Sequence, residues 1–158
     1  MPETPDQQVR QQIATLRDKA REIRDGMRQS ELQRSSKLLI QHFFSSRVFR
    51  KSRRIAFYYP IKNEAGSVDI IRQSLQRGKS CFLPVINPTN HSMAFVRTDA
   101  RTVLKNNWCG IPEPTGLRSL PIIQFDIVLL PLLAFDASGS RIGMGGGYYD
   151  RALEIVAD

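Results

Sequence analysis

Cysteine is scarce in this chain. Cys81 and Cys109 stand alone, with neither the short spacing of a metal site nor the framework of a disulfide-stapled domain. A reducing compartment suits such a sequence, and the cytoplasm is the expected location. Long hydrophobic runs are also lacking. The longest, IVLLPLLAF (Ile127–Phe135), is about half a membrane span and is broken by Pro131. No membrane partner is therefore expected. The first thirty residues are strongly charged and lack an apolar stretch, so no signal peptide is expected. No internal repeat or low-complexity tract is present. Acidic residues are outnumbered, 15 against 23 Lys and Arg, which leaves a net charge of +8. That excess suits an anionic partner, whether nucleotide, polyanionic metabolite, nucleic acid or membrane surface, without choosing among them.

What is present reads as ordinary globular protein. With 158 residues, 41% of them hydrophobic, the chain is long enough for one domain with a proper core and hardly enough for two. A single domain over residues 1–158 is expected. Val9, Ile13, Leu16, Ala20, Ile23 and Met27 recur at helical spacing and predict an amphipathic helix with that stripe inward. Arg10, Arg17, Lys19, Arg21, Arg24 and Arg28 then read as its solvated face. Gly26 interrupts, and Ser30 with Gln33 resembles a capping box opening a second helix to about Phe44.

After the basic run RVFRKSRR (Arg47–Arg54), IAFYYP predicts a strand stopped by Pro60. Ser67 is a candidate cap for a short helix with Val68, Ile71 and Leu75 inward and Gly78 closing it. CFLPVI (Cys81–Ile86) and MAFVR predict strands on either side of the turn NPTN. DIVLLP (Asp126–Pro131) reads as a strand buried on both faces. Strands alternating with helices predict a three-layer, Rossmann-like α/β sandwich with a mostly parallel central sheet and an N-terminal basic helical segment.

The sequence then reaches RIGMGGGYYDR (Arg141–Arg151), with Gly143, Gly145, Gly146 and Gly147 crowded together. Such clustering marks backbone that must turn sharply or approach a ligand closely. The pattern is neither a P-loop nor the dinucleotide fingerprint, since Tyr148 stands where a third glycine would be needed. It follows the last apolar run and precedes a helix with Ala152, Leu153 and Val156 inward. That is a common ligand position in open α/β sheets. Arg141 and Asp150 bracket it with a fork suited to phosphate and a hard oxygen suited to Mg²⁺.

FDASGSRIGMGGGYYDR (Phe135–Arg151) closely resembles the signature of the 5-formyltetrahydrofolate cyclo-ligases, also called methenyltetrahydrofolate synthetases. Leu16–Arg17, YYPIKNE (Tyr58–Glu64), the Leu83–Pro84 pair, Met93–Phe95 and GIPEP (Gly110–Pro114) follow in the family's order, so the resemblance spans about residues 10–158. It implies conversion of 5-formyltetrahydrofolate to 5,10-methenyltetrahydrofolate, with ATP as co-substrate, Mg²⁺ as cofactor, and ADP and phosphate released. Arg17, Arg141, Gly143, Met144, Gly145, Gly146, Gly147, Tyr148 and Tyr149 would bind ATP, with Arg141 and Tyr148 at the reacting centre. Asp150 matches a Mg²⁺ ligand, or on the plainer account stabilises a helix start. Glu64 matches the carboxylate that accepts hydrogen bonds from the pterin. Tyr58, Tyr59, Met93, Trp108 and Tyr148 would complete the folate site, and spare basic residues would attract a polyglutamate tail. Core or surface packing is the alternative for Met93, Phe95 and Trp108.

Some features depart from the family's pattern. Ile13 stands where a lysine is frequent, with Arg10 one turn earlier. Met144 replaces an arginine found in some members. The chain stops soon after the signature helix, so weakened stability or activity is expected of this form. Competing readings are a folate-binding paralogue without chemistry, a sugar-phosphate isomerase or sensor of the same α/β class, and a nucleic-acid module. The last is disfavoured because the basic residues are not interleaved with stacking aromatics. A monomer is expected, with no nucleic acid bound. His42 and His91 have no visible catalytic partner and read as structural or exposed.

Overall fold

The computed structural model describes residues 4–116 and 118–156, with only the backbone of Ser67; the expected domain's first three and last two residues lie outside them. Helix α1 (Pro5–Asp25) opens on a proline, whose missing N–H is one the first turn leaves unpaired anyway. Gln7 Oε1 accepts the Thr4 N–H at 2.9 Å, and Gly26 ends the helix. Helix α2 (Gln29–Ser45) begins one residue before Ser30. Glu31 accepts the Arg28 N–H at 2.8 Å, so the reciprocal start involves Arg28 and Glu31 rather than Ser30 and Gln33. The basic run folds largely as helix α3 (Arg47–Lys51), anchored by buried Phe49.

Strand β1 (Arg54–Ala56) leads through a loop to helix α4 (Ser67–Gln76). Gly66 is its cap and Ser67 its first residue. Ile71 is buried and Leu75 packs against the core as expected, with Ile70 buried beside them, whereas Val68 is 46% exposed and lies off that face. Strands β2 (Ser80–Asn87) and β3 (Ser92–Thr98) follow, then β4 (Leu104–Asn106), β5 (Pro112–Pro114), β6 (Ser119–Leu120), a 3-10 turn (Ile122–Gln124) and β7 (Ile127–Val128). A small hairpin of β8 (Ala134–Phe135) and β9 (Arg141–Ile142) precedes helix α5 (Tyr148–Leu153) and a closing 3-10 turn (Glu154–Val156).

The main sheet has the order β6-β3-β2-β1-β7. It is mixed, which corrects the expectation of a mostly parallel sheet. β1 runs parallel to β2 and β7, but β2–β3 and β3–β6 are antiparallel. The physical reason lies in the connection from Asn87 to Ser92: a tight turn cannot carry the crossover that parallel neighbours require. β7 is also not buried on both faces. It is half-buried, pairs with β1 and forms one edge of the sheet. Asp126 fixes its register by accepting the Arg53 and Arg54 amides at 2.7 and 2.8 Å. Those backbone hydrogen bonds, Arg54 first, lower its pKa.

Strand alternation divides the core. Ile55, Phe57, Cys81 and Leu83 face Phe49, Ile70 and Ile71 under α2, α3 and α4. Ala56 and Phe82 face Phe95 and Ile122 on the other side, where Tyr149, Ala152 and Leu153 of α5 pack. Val156 lies beyond that packing, 52% exposed. Burying one such large apolar side chain stabilises by about 1.5–3 kcal/mol. Among the described residues no helix is long and apolar enough to cross a membrane.

Helix α1 with the residues just after it keeps part of the expected polarity, with Ala20 and Met27 half-buried and Arg10, Lys19 and Arg28 exposed, and reverses the rest. Val9, Leu16 and Ile23 are 52%, 52% and 64% exposed, while Arg17, Arg21 and Arg24 are half-buried. The helix turns its arginine face toward the protein.

Candidate active site

The reason for that orientation is the glycine loop. Arg17 Nε donates to the Gly143 carbonyl at 3.0 Å, and a Cβ built on Gly145 would lie 3.6 Å from Arg17 Cζ. Gly145 has φ +106°, a region that only glycine occupies without strain, so the backbone and the guanidinium can lie against each other. About two turns further along α1, Arg24 reaches Met144 of the loop. Its Nη1 is 3.5 Å from Glu64 Oε1 and 3.9 Å from Met144 Sδ, while its buried Nε makes no hydrogen bond but lies 3.5 Å from Asp25 Oδ1 in an ion pair. Arg24 is a residue the sequence reading missed. The signal was present: residues 17, 21 and 24 share one helical face, as the apolar stripe does.

The loop itself is held at both ends. Before it, Asp136 Oδ1 accepts from Ser138 N, Ser138 Oγ and Ser140 N at 2.9, 2.6 and 3.0 Å, shaping the β8–β9 turn that delivers Arg141. This hairpin lies between β7 and the loop, so the expected order of strand, glycine loop and helix holds with the hairpin inserted after the strand. After the loop, Gly147 caps α5 at φ +65°. Arg141 Nη2 donates to Asp150 Oδ1, which joins the expected phosphate fork to the expected metal ligand. Among the described residues no group of three His, Cys, Asp or Glu comes together that could hold a metal by itself. Asp150 instead offers one exposed carboxylate, which fits Mg²⁺ arriving already bound to phosphate oxygens.

The two tyrosines part. Tyr148 presents its ring to Arg151 and to His91, 6.2 Å between ring centroids in the latter case. Tyr149 turns inward onto Phe95, 6.4 Å away, and burial raises its phenol pKa, with Glu64 and Tyr58 adding to the effect. Tyr58 Oη donates to the Ala65 carbonyl at 3.1 Å, and its pKa is pushed up to about 12 by burial and then by Glu64. Glu64, with a side chain only 6% exposed, accepts the Ile61 N–H at 3.0 Å. Its pKa is raised by burial, against the opposing pull of the Ile61 hydrogen bond and Arg24. Glu64 and Arg24 border a cavity of about 430 Å³ walled by Leu32, Leu39, Ile70 and Leu129.

Other expected residues are placed differently. Tyr59 packs against the first core cluster, and Met93 against the second. Phe95 is 1% exposed and is core. Trp108 is 66% exposed in the turn between β4 and β5, outside the core. Asn107 shapes that turn by accepting the Cys109 and Ile111 amides and donating to Glu113. Arg10 and His42 are exposed on their helices.

A sequence model of the 5-formyltetrahydrofolate cyclo-ligase family matches residues 6–158. The chain belongs to that family. Among its relatives, the 5-formyltetrahydrofolate cyclo-ligase of Haemophilus influenzae is 35% identical over 150 residues, 93% of this chain and 79% of that protein. The 5-formyltetrahydrofolate cyclo-ligase of Escherichia coli K12 is 35% identical over 103 residues, 63% of this chain and 57% of that protein. The aligned part thus spans little more than half of some relatives. The solved structure of Aquifex aeolicus 5,10-methenyltetrahydrofolate synthetase superposes with a TM-score of 0.80 at 30% identity, over 90% of this chain and 72% of that one. The α/β fold with a mixed sheet is therefore a cyclo-ligase fold.

Proposed function

We propose that this chain catalyses the ATP- and Mg²⁺-dependent closure of 5-formyltetrahydrofolate to 5,10-methenyltetrahydrofolate. The observation that carries the reading is the meeting of Arg17 with the glycine loop across 126 residues of sequence. A cation drawn half out of solvent against side-chain-free backbone is the arrangement a polyphosphate needs.

The chemistry is phosphoryl transfer followed by ring closure. The formyl oxygen attacks the γ-phosphorus and ADP leaves. N10 then attacks the activated carbon, its proton is lost, and phosphate departs with the former formyl oxygen. Arg17, Arg141 and the amides of residues 143–149 hold and orient the triphosphate, which converts the encounter into an intramolecular step. Arg141 and the Tyr148 ring stand where phosphoryl charge spreads and the folate lies. Asp150 would hold Mg²⁺, which supplies charge neutralisation between phosphate oxygens. For that, Arg141 must exchange its Asp150 carboxylate for phosphate, so nucleotide binding rearranges this pair. Glu64 accepts the paired donors of the pterin, Tyr58 and Met93 border the ring, and exposed Trp108 offers a flat surface to the p-aminobenzoyl portion. Tyr59, packed in the core, supports this wall from behind. The net positive charge draws the folate's glutamate carboxylates, single or polymeric, toward a monomer in the cytoplasm.

The test is the absorbance of methenyltetrahydrofolate when the purified chain meets 5-formyltetrahydrofolate. Growth that requires both ATP and Mg²⁺ supports the reading. Growth without nucleotide contradicts it, as does nucleotide and folate binding with no product, which is the outcome of a binding-only paralogue.

A further inference from the structure

Four glycines in five positions leave the loop a conformational problem that the fold must solve. A Gly–Gly peptide unit flips readily, because neither flanking residue restricts φ and ψ. A trans peptide points its C=O and the following N–H in opposite directions. A flip at Gly146–Gly147 would therefore exchange a donor for an acceptor on the face that meets an anion, and repel what the loop is meant to bind.

Arg151 stands at that peptide. Its Nη2 donates to the Gly146 carbonyl at 2.9 Å. Its Nε donates to the His91 carbonyl at 3.1 Å, at the tip of the β2–β3 connection, 60 residues away. The guanidinium carbon lies 5.1 Å from the Tyr148 ring centroid. A Cβ on Gly147 would come within 2.7 Å of Arg151 Nη1, so the guanidinium lies directly against the loop backbone. His91 takes φ +54°, an uncommon conformation for a residue with a side chain, at the point where its carbonyl meets Arg151. One planar cation thus joins the glycine loop, the first ring of α5 and a separate hairpin tip.

We propose that Arg151 is a positioning residue for the nucleotide: it holds the Gly146 carbonyl away from the phosphate side and so fixes the Gly147 N–H as a donor. This rests on the reading that the loop binds ATP. Arg151 acts through the backbone and touches no reacting atom.

The test compares Arg151→Ala and Arg151→Lys with the parent chain by two readouts. In the free protein, amide hydrogen exchange at residues 145–148 and 88–92 is expected to quicken together in Arg151→Ala. In turnover, the KM for MgATP is expected to rise roughly tenfold or more, the worth of one charged hydrogen bond, with kcat and the folate KM within about twofold. Arg151→Lys, able to reach one carbonyl but unable to form the two-armed bridge, should fall between them. Unchanged exchange in Arg151→Ala overturns the proposal, as does an equal loss in both KM values and kcat. If the parent chain binds no nucleotide, the ATP reading fails by itself, and the exchange comparison alone decides the clamp.

Discussion

Arg17 and Ile23 show how a side chain's neighbours outweigh the pattern it belongs to. Arg17 is half-buried against Gly143 and Gly145, and Ile23 is 64% exposed. Replacing Arg17 by alanine is expected to lower kcat/KM for MgATP roughly thirtyfold, since a hydrogen bond from a charged group is worth about 2 kcal/mol. Steady-state kinetics at saturating folate reads this directly. On stability the ordering is also reversed from what periodicity suggests. Ile23→Gln should change it by less than about 0.5 kcal/mol. Arg24→Ala should cost about 1–3 kcal/mol, because it strands the Glu64 carboxylate in a buried site. Urea denaturation of the two variants separates them. Glu64 itself carries a pH signature. Its pKa in the fold lies above the ordinary value of 4.5, so the stability it contributes is full below 4.5 and is lost as pH rises through the folded value. In the proposed site the pterin is met by the ionised form, so the folate KM is expected to climb on acidification at a higher pH than for an ordinary glutamate. Glu64→Gln should raise the folate KM and remove that acid limb from the profile.

At the scale of elements, the glycine loop is the most demanding segment. Gly145→Ala would force φ +106° on a residue with a side chain and set its Cβ 3.6 Å from Arg17 Cζ. The expected result is a weaker MgATP complex with only a modest fall in melting temperature, because Ala at positive φ adds strain but Gly145 and Gly146 are exposed and little core depends on them. Calorimetric titration alongside thermal melts checks both halves. This loop, the two N-terminal helices, α4 and the strands around Leu83 and Phe95 were legible in the sequence. Each announces itself locally, by helical spacing, apolar runs or glycine. Direction was not legible. The antiparallel β2–β3 pairing depends on how short the Pro88–His91 turn is, and the edge position of β7 on what pairs beside it. Nor does periodicity say which face of α1 turns inward. Two stripes, one apolar and one of arginines, compete on that helix, and a partner more than a hundred residues away decides. Arg24 and Arg151 went unassigned for the same reason: their roles are set by Glu64, Gly146 and His91, none of them near in sequence except Gly146.

For the whole molecule, burial of ionisable groups sets an alkaline limit. Cys81, fully buried, has its thiol pushed from 9.0 up to about 12, and Tyr58 its phenol from 10.0 up to about 12. Both pKa values are raised in the fold. Their contribution is therefore complete below pH 9 and is lost as pH rises toward 12. Chemical denaturation should show stability falling from about pH 9 upward, and Cys81→Ala should lessen the slope while lowering stability at neutral pH. The account as a whole depends on where the triphosphate sits. A crystal structure with Mg²⁺ and a non-hydrolysable ATP analogue measures this most directly. The expected result has phosphate oxygens about 3 Å from the amides of residues 143–148, with Arg17 and Arg141 turned onto them and Asp150 released to the metal. A glycine loop left empty, with nucleotide ordered elsewhere on the chain, would contradict it.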